Sequence, residues 1–209
     1  MDYVEYWVLN SVVTSGTPFH WLMHPDLEEL LNAPGHGQTQ MQLVAVFQRL
    51  FQRGDLIAIR EQDETPVLPL QHGFIPTPEE IIAAMEGELI MGYWLTSQGG
   101  ARWESASNPR WERYLTTASG PEYELIAGGS RQVVEAYLEL VPYIRGVTLL
   151  PKSIVWEVET PWQATYWKLL PEGHVVSFQT TPAPYTPRPA WVEQRWVEIM
   201  QWYTNPFEE

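Results

Sequence analysis

Leu43, Phe47, Leu50 and Phe51 recur at helical spacing, so the stretch from Gln38 to Arg53 carries one apolar face. Its other face presents Gln40, Gln48, Arg49 and Gln52. Gly54 follows the last periodic residue, where a left-handed cap costs least without a side chain. Leu56, Ile57 and Ile59 then begin a strand that ends in Arg60-Glu61. Upstream, residues 3 to 13 predict a helix with Tyr6, Leu9 and Val13 inward, closed by Ser15-Gly16-Thr17-Pro18. A second helix is expected from Asp26 to Asn32, with Pro25 at its first position and Leu27, Leu30 and Leu31 facing the core. Residues 33 to 37 are the turn into the third helix.

Downstream, residues 63 to 70 read as irregular and Pro-broken. Thr77-Pro78-Glu79-Glu80 opens a short helix with a capping box, with Ile81, Ile82 and Met85 as its apolar face and Gly87 as its stop. Leu89 to Thr96 is a strand, with Tyr93 and Leu95 on one side. Thr96 caps a helix from Ser97 to Ala106. Residues 110 to 115 add another turn, and residues 116 to 121 have the composition of a linker.

Beyond residue 121 the alternation changes. A strand is expected over Glu122 to Ala127 and a helix over Arg131 to Tyr143, with Val134, Tyr137, Leu138 and Val141 on one side. Ile154, Trp156 and Val158 alternate with Val155, Glu157 and Glu159, a strand with one wet face. Two more strands are expected over Ala164 to Leu170 and Val175 to Thr181. Pro182 to Pro189 is an extended connector. A last helix, Ala190 to Tyr203, places Trp191, Ile199 and Trp202, or their neighbours, inside.

Charge narrows the function classes. The 209-residue chain carries a net charge of −14 and has no cysteine. That opposes phosphate neutralisation and anionic membrane surfaces, and it fits a basic partner or plain solubility. Absence of cysteine excludes disulfides and thiolate metal sites and fits the reducing cytoplasm. The first residues lack the basic and apolar regions of a signal peptide, and no apolar run reaches bilayer length.

The helix–glycine–strand phrase over residues 38 to 60 resembles the third helix and first wing strand of winged-helix domains. Tyr93-Trp94-Leu95-Thr96-Ser97-Gln98-Gly99 is similar to the Y-x-L-T-x-x-G phrase of MarR-like and PadR-like regulators, where a returning wing strand enters a further helix. The resemblance covers roughly residues 3 to 106 and departs from the pattern in the long interval between the two strand phrases. It implies a winged helix with a long inserted wing. The C-terminal half resembles no specific family.

Candidate chemistry is sparse. His20 and His24 stand four apart, as two metal ligands could, but Pro25 makes this a helix entry and no third ligand is evident. Gly128-Gly129-Ser130 could cradle an anion, although a strand-to-helix turn with Ser130 as cap accounts for it. Glu157 and Glu159 share a strand face, as solvated carboxylates commonly do. No nucleophile elbow is present, so no catalytic residue, metal or cofactor is expected. Of the 11 tryptophans, Trp162 at a turn and Trp196 on the last helix are candidates for an aromatic interface.

The expected fold class is therefore α+β. An N-terminal winged-helix-like domain (1–115) precedes an α+β domain (122–209) with a small antiparallel sheet covered by two helices. The expected function is that of a non-enzymatic, acidic regulator, adaptor or inhibitor that binds another protein. Its partner-facing or DNA-facing helix would present Thr39, Gln40, Gln42, Gln48, Arg49 and Gln52, with Arg60 on the wing. The alternative is a transcriptional regulator reading DNA through residues 39 to 49, with a C-terminal ligand-sensing or dimerisation domain. A homodimer that pairs Arg49, Arg53 and Arg60 across a symmetry axis would serve it.

Overall fold

The computed structural model describes residues 1–60, 73–120, 123–184 and 187–207. Residues 61, 63 to 70, 121, 122, 185 and 186, on which expectations about the wing, the linker and the connector fall, lie outside these. The fold is mixed α+β, and the chain divides into two compact units. One holds residues 1–107, 165–168 and 205–209; the other holds 108–164 and 169–204.

The first unit contains α1 (Tyr3–Asn10), β1 (Thr17–Pro18), α2 (Leu27–Leu31), α3 (Gln40–Gln52), β2 (Leu56–Arg60), α4 (Pro78–Met85), β3 (Met91–Leu95) and α5 (Ser97–Ser107). A 3-10 turn, Phe19–Met23, links β1 to α2. Three strands pair antiparallel in the order β1-β3-β2, with Leu56 opposite Leu95 and Thr17 opposite Tyr93. The core is aromatic: the Phe47 and Tyr93 rings lie 4.7 Å apart, and Phe19 lies 4.9 Å from Phe47. Leu43, Leu50 and Phe51 are buried beside them, as the helical spacing requires.

Two expectations are corrected here. The first helix stops at Asn10, three residues before Val13. The second is a short helix with Asp26 as cap, so Pro25 precedes the cap; only Leu27 is buried and Leu30 is 40% exposed. One turn of helix has too little surface to bury three leucines, and Asn32, at φ 47°, ends it in the left-handed region.

The second unit contains β4 (Leu115–Ser119), β5 (Glu124–Gly128), α6 (Arg131–Arg145), β6 (Val147–Leu149), β7 (Val155–Glu159), β8 (Trp162–Gln163), β9 (Leu169–Leu170), β10 (Gly173–Phe178), β11 (Thr180–Pro182) and α7 (Ala190–Met200). Its principal sheet is antiparallel, in the order β4-β5-β10-β7. Ile126, Val176 and Phe178 of the sheet share one core with Val134, Tyr137, Leu140 and Val141 of α6 and Val192 and Ile199 of α7. The expected linker is largely strand β4, whose Thr-rich composition suits an exposed edge as well as a loop. Of the expected strand over 164 to 170 only Leu169–Leu170, β9, is strand; it pairs with β8, which precedes the expected range, across the non-strand residues 164 to 168. Trp191 is 46% exposed rather than inside, and α7 ends at Met200, before Trp202.

Candidate functional site

The third helix is set by its two ends. Thr39 Oγ1 accepts from the Gln42 backbone N–H at 3.4 Å, and Gln42 Oε1 accepts from the Thr39 N–H at 2.9 Å. This capping box satisfies orphan donors of the first turn. At the far end the Asp55 N–H donates to Leu50 O and the Gly54 N–H to Phe51 O, each at 2.9 Å. Gly54 sits at φ 76°, so the pair forms a Schellman cap that turns the chain into β2.

The arginines of α3 do not face outward unpaired. Glu5 of α1 is 6% exposed and accepts from Arg53 at 2.7 Å, Arg102 at 2.8 Å and Arg49 at 3.4 Å. Asp55, 1% exposed, receives Arg102 at 2.7 Å and Arg53 at 3.3 Å. Arg49 also approaches Asp2 at 3.8 Å. Two buried carboxylates thus hold three partly exposed guanidinium groups, tying α1, α3, the start of β2 and α5 together. Burial pushes the Glu5 carboxyl up; the Arg53 hydrogen bond and the Arg53 and Arg102 charges outweigh it against a small opposing push from Asp2. The net result lies below the ordinary glutamate value.

The same pairing extends across the unit. Its arginines and lysine are Arg49, Arg53, Arg60, Arg102 and Lys168. Arg60 is held by Glu80 and lies 5.0 Å over the Phe74 ring, and Lys168 is held by Glu104. Meanwhile Glu29, Glu79 and Glu88 carry charge on the surface with no cation beside them among the described residues.

The remaining expected positions divide between structural use and exposure. Thr39 and Gln42 are spent on the cap, and Gln40 donates to Glu86 at 3.2 Å. Gln52 is exposed and Gln48 half-buried. Trp162 is 3% exposed, which removes it from the interface candidates. A side chain on Gly173 would collide with its indole, so glycine there leaves room for the buried ring. Trp196 is half-buried, its ring 5.7 Å from Tyr137. His24 Nδ1 accepts the Asp26 N–H at 3.1 Å, and no group of three or more metal-binding side chains occurs among the described residues. Ser130 caps α6 by accepting from the Val133 N–H at 3.4 Å and donates to Glu112 O at 2.7 Å. Glu157 and Glu159 are exposed.

The Y-x-L-T-x-x-G phrase finds a physical reason at each letter. Tyr93 and Leu95 are fully buried, and the Tyr93 and Ser11 hydroxyls lie 2.9 Å apart. Burial raises the Tyr93 pKa against the Ser11 and Thr17 hydrogen bonds, so the phenol stays protonated. Thr96 Oγ1 donates to Gly54 O at 2.6 Å and accepts from the Gly99 N–H at 3.1 Å. A Cβ on Gly99 would overlap the Asp55 carbonyl oxygen, so glycine lets α5 approach the carboxylate network.

Glu5, Asp55 and Arg102 escaped the sequence reading. Arg49 and Arg53, four apart on the helix, were the available signal that a shared anion lay opposite them. No helix of the described residues is long and apolar enough to cross a membrane. No family model, no curated protein and no solved structure matches this chain.

Proposed function

We propose that this chain is a non-enzymatic regulator, adaptor or inhibitor that binds a basic protein through the acidic surface of its first unit. The observation that carries this reading is the internal pairing of Arg49, Arg53, Arg60, Arg102 and Lys168. A duplex binder needs cations that can release counterions from phosphate, and each of these is already engaged by a carboxylate. The winged-helix reading of the unit is supported by its element order and by the antiparallel order β1-β3-β2. That architecture serves protein docking as well as DNA reading, and the paired cations favour docking. Operator reading through residues 39 to 49 would require Arg49 and Arg53 to leave a buried Glu5.

Nuclease-treated affinity capture compares the unaltered chain with a variant carrying Glu29→Gln, Glu79→Gln and Glu88→Gln. The reading predicts one cationic protein retained by the first and lost by the second. Recovery of nucleic acid before nuclease treatment, or equal retention by both, would overturn it.

A further inference from the structure

We infer that the outer edge of β7 is a docking edge for an extended, alternately basic segment of another protein. The inference concerns the second unit and goes beyond the acidic surface of the first. β7 ends its sheet: β10 pairs with it in unbroken register from Val155↔Ser177 to Glu159↔Gly173, and among the described residues no strand pairs with its other side. Soluble proteins blunt such an edge with charged side chains, Lys above all, with Pro or with a bulge. Residues 155 to 159, Val-Trp-Glu-Val-Glu, contain no Lys, Pro or bulge; their charges are both negative, so they turn away acidic strands and not basic ones. Val155 and Val158 are instead 51% and 57% exposed.

The two faces of the strand differ. Trp156 and Val158 lie on the α6 side, where Trp156 packs against the core and Arg131 sits 4.6 Å over its ring. Val155, Glu157 and Glu159 lie on the opposite side. Near the start of β7 an open depression of about 690 Å³ is lined by Tyr123, Leu150, Lys152, Ser177 and Phe178. Ser177 is the cross-strand partner of Val155, so the depression adjoins the first residue of the strand. Main-chain pairing supplies affinity in strand addition, and alternate side-chain positions supply specificity.

Charge selects the occupant. An antiparallel pair of two copies centred on Glu157 would set the two Glu157 carboxylates side by side and repel. A segment with Lys or Arg at alternate positions faces Glu157 and Glu159 favourably, and its intervening apolar residues lie beside Trp156 and Val158. The other edge, β4, offers exposed Thr, Ala and Ser without this charge pattern.

The probes are two synthetic peptides of equal composition, one alternating lysine and valine, the other with lysines and valines in separate blocks. The full chain should bind the alternating peptide more tightly, and binding should slow amide exchange within residues 155 to 159. Replacing Glu157→Lys together with Glu159→Lys should weaken that binding by roughly tenfold. Exchange is read on the unaltered chain, so it decides the matter even where the double variant fails to fold. Equal binding of both peptides, protection confined to other residues, or self-association that protects 155 to 159 without peptide would overturn the inference.

Discussion

At the scale of the residue, Glu5 and Asp55 show how much a buried charge depends on its partners. A carboxylate with about a fifteenth of its surface exposed is tolerated because three guanidinium groups converge on it. Removing Glu5 leaves three guanidinium groups that keep part of their surface in water, so solvent offsets some of the loss. Glu5→Gln should therefore destabilise the first unit by about 1 to 2 kcal/mol, less than a fully buried pair would lose, read by urea unfolding. A loss within about 0.5 kcal/mol, the range of an ordinary surface substitution, would mean that the arginines find equal partners in water. The network also sets an acid limit. The Glu5 carboxyl is held below its ordinary value of 4.5, so its contribution is complete above that pH. It is lost as pH falls through 4.5 towards the lowered folded value. Thermal midpoints measured down that range should drop more steeply in the unaltered chain than in Glu5→Gln. Gly99 belongs to the same scale: Gly99→Ala drives a methyl into the Asp55 carbonyl and should cost about 2 kcal/mol or more.

At the scale of the element, caps and periodicity were the legible part. Gly54, Thr77 and Thr96 each sit where their chemistry places them, and α4, β2, β3 and α5 follow, whereas Thr39, expected on the partner-facing surface, caps α3. Thr77→Ala should weaken α4 by about 1 kcal/mol, because it removes one half of a reciprocal cap. A thermal midpoint unchanged by that substitution would count against the cap. What stayed hidden depends on partners remote in sequence. Tyr166 donates to Val12 O at 2.6 Å and accepts the Leu95 N–H at 2.7 Å, while Trp167 donates to Val13 O at 2.8 Å. Those contacts pull residues 165–168 into the first unit and leave only β9 of the strand expected there. Local alternation has no access to such a demand. Likewise Thr116-Thr117-Ala118-Ser119 reads equally as loop or exposed edge, and only pairing with β5 decides for the strand. The tryptophans were ambiguous for a related reason. Trp162 and Trp202 join Tyr114 in one aromatic group, and burial in it pushes the Tyr114 phenol up to about 12 against a Thr116 hydrogen bond.

At the scale of the whole molecule, the decisive quantity is where the charge of −14 can act. The total is visible in the sequence, but its meaning depends on whether the few cations are free. Arg49 and Arg53 are already paired with Glu5, so on the proposed reading the helix offers phosphate no uncommitted cation. The most direct test is a mobility-shift titration of labelled duplex DNA at low ionic strength, where phosphate contacts are strongest. The account predicts no retardation at any protein concentration that leaves the chain folded. Salt-sensitive retardation that disappears on Arg49→Glu with Arg53→Glu would contradict it.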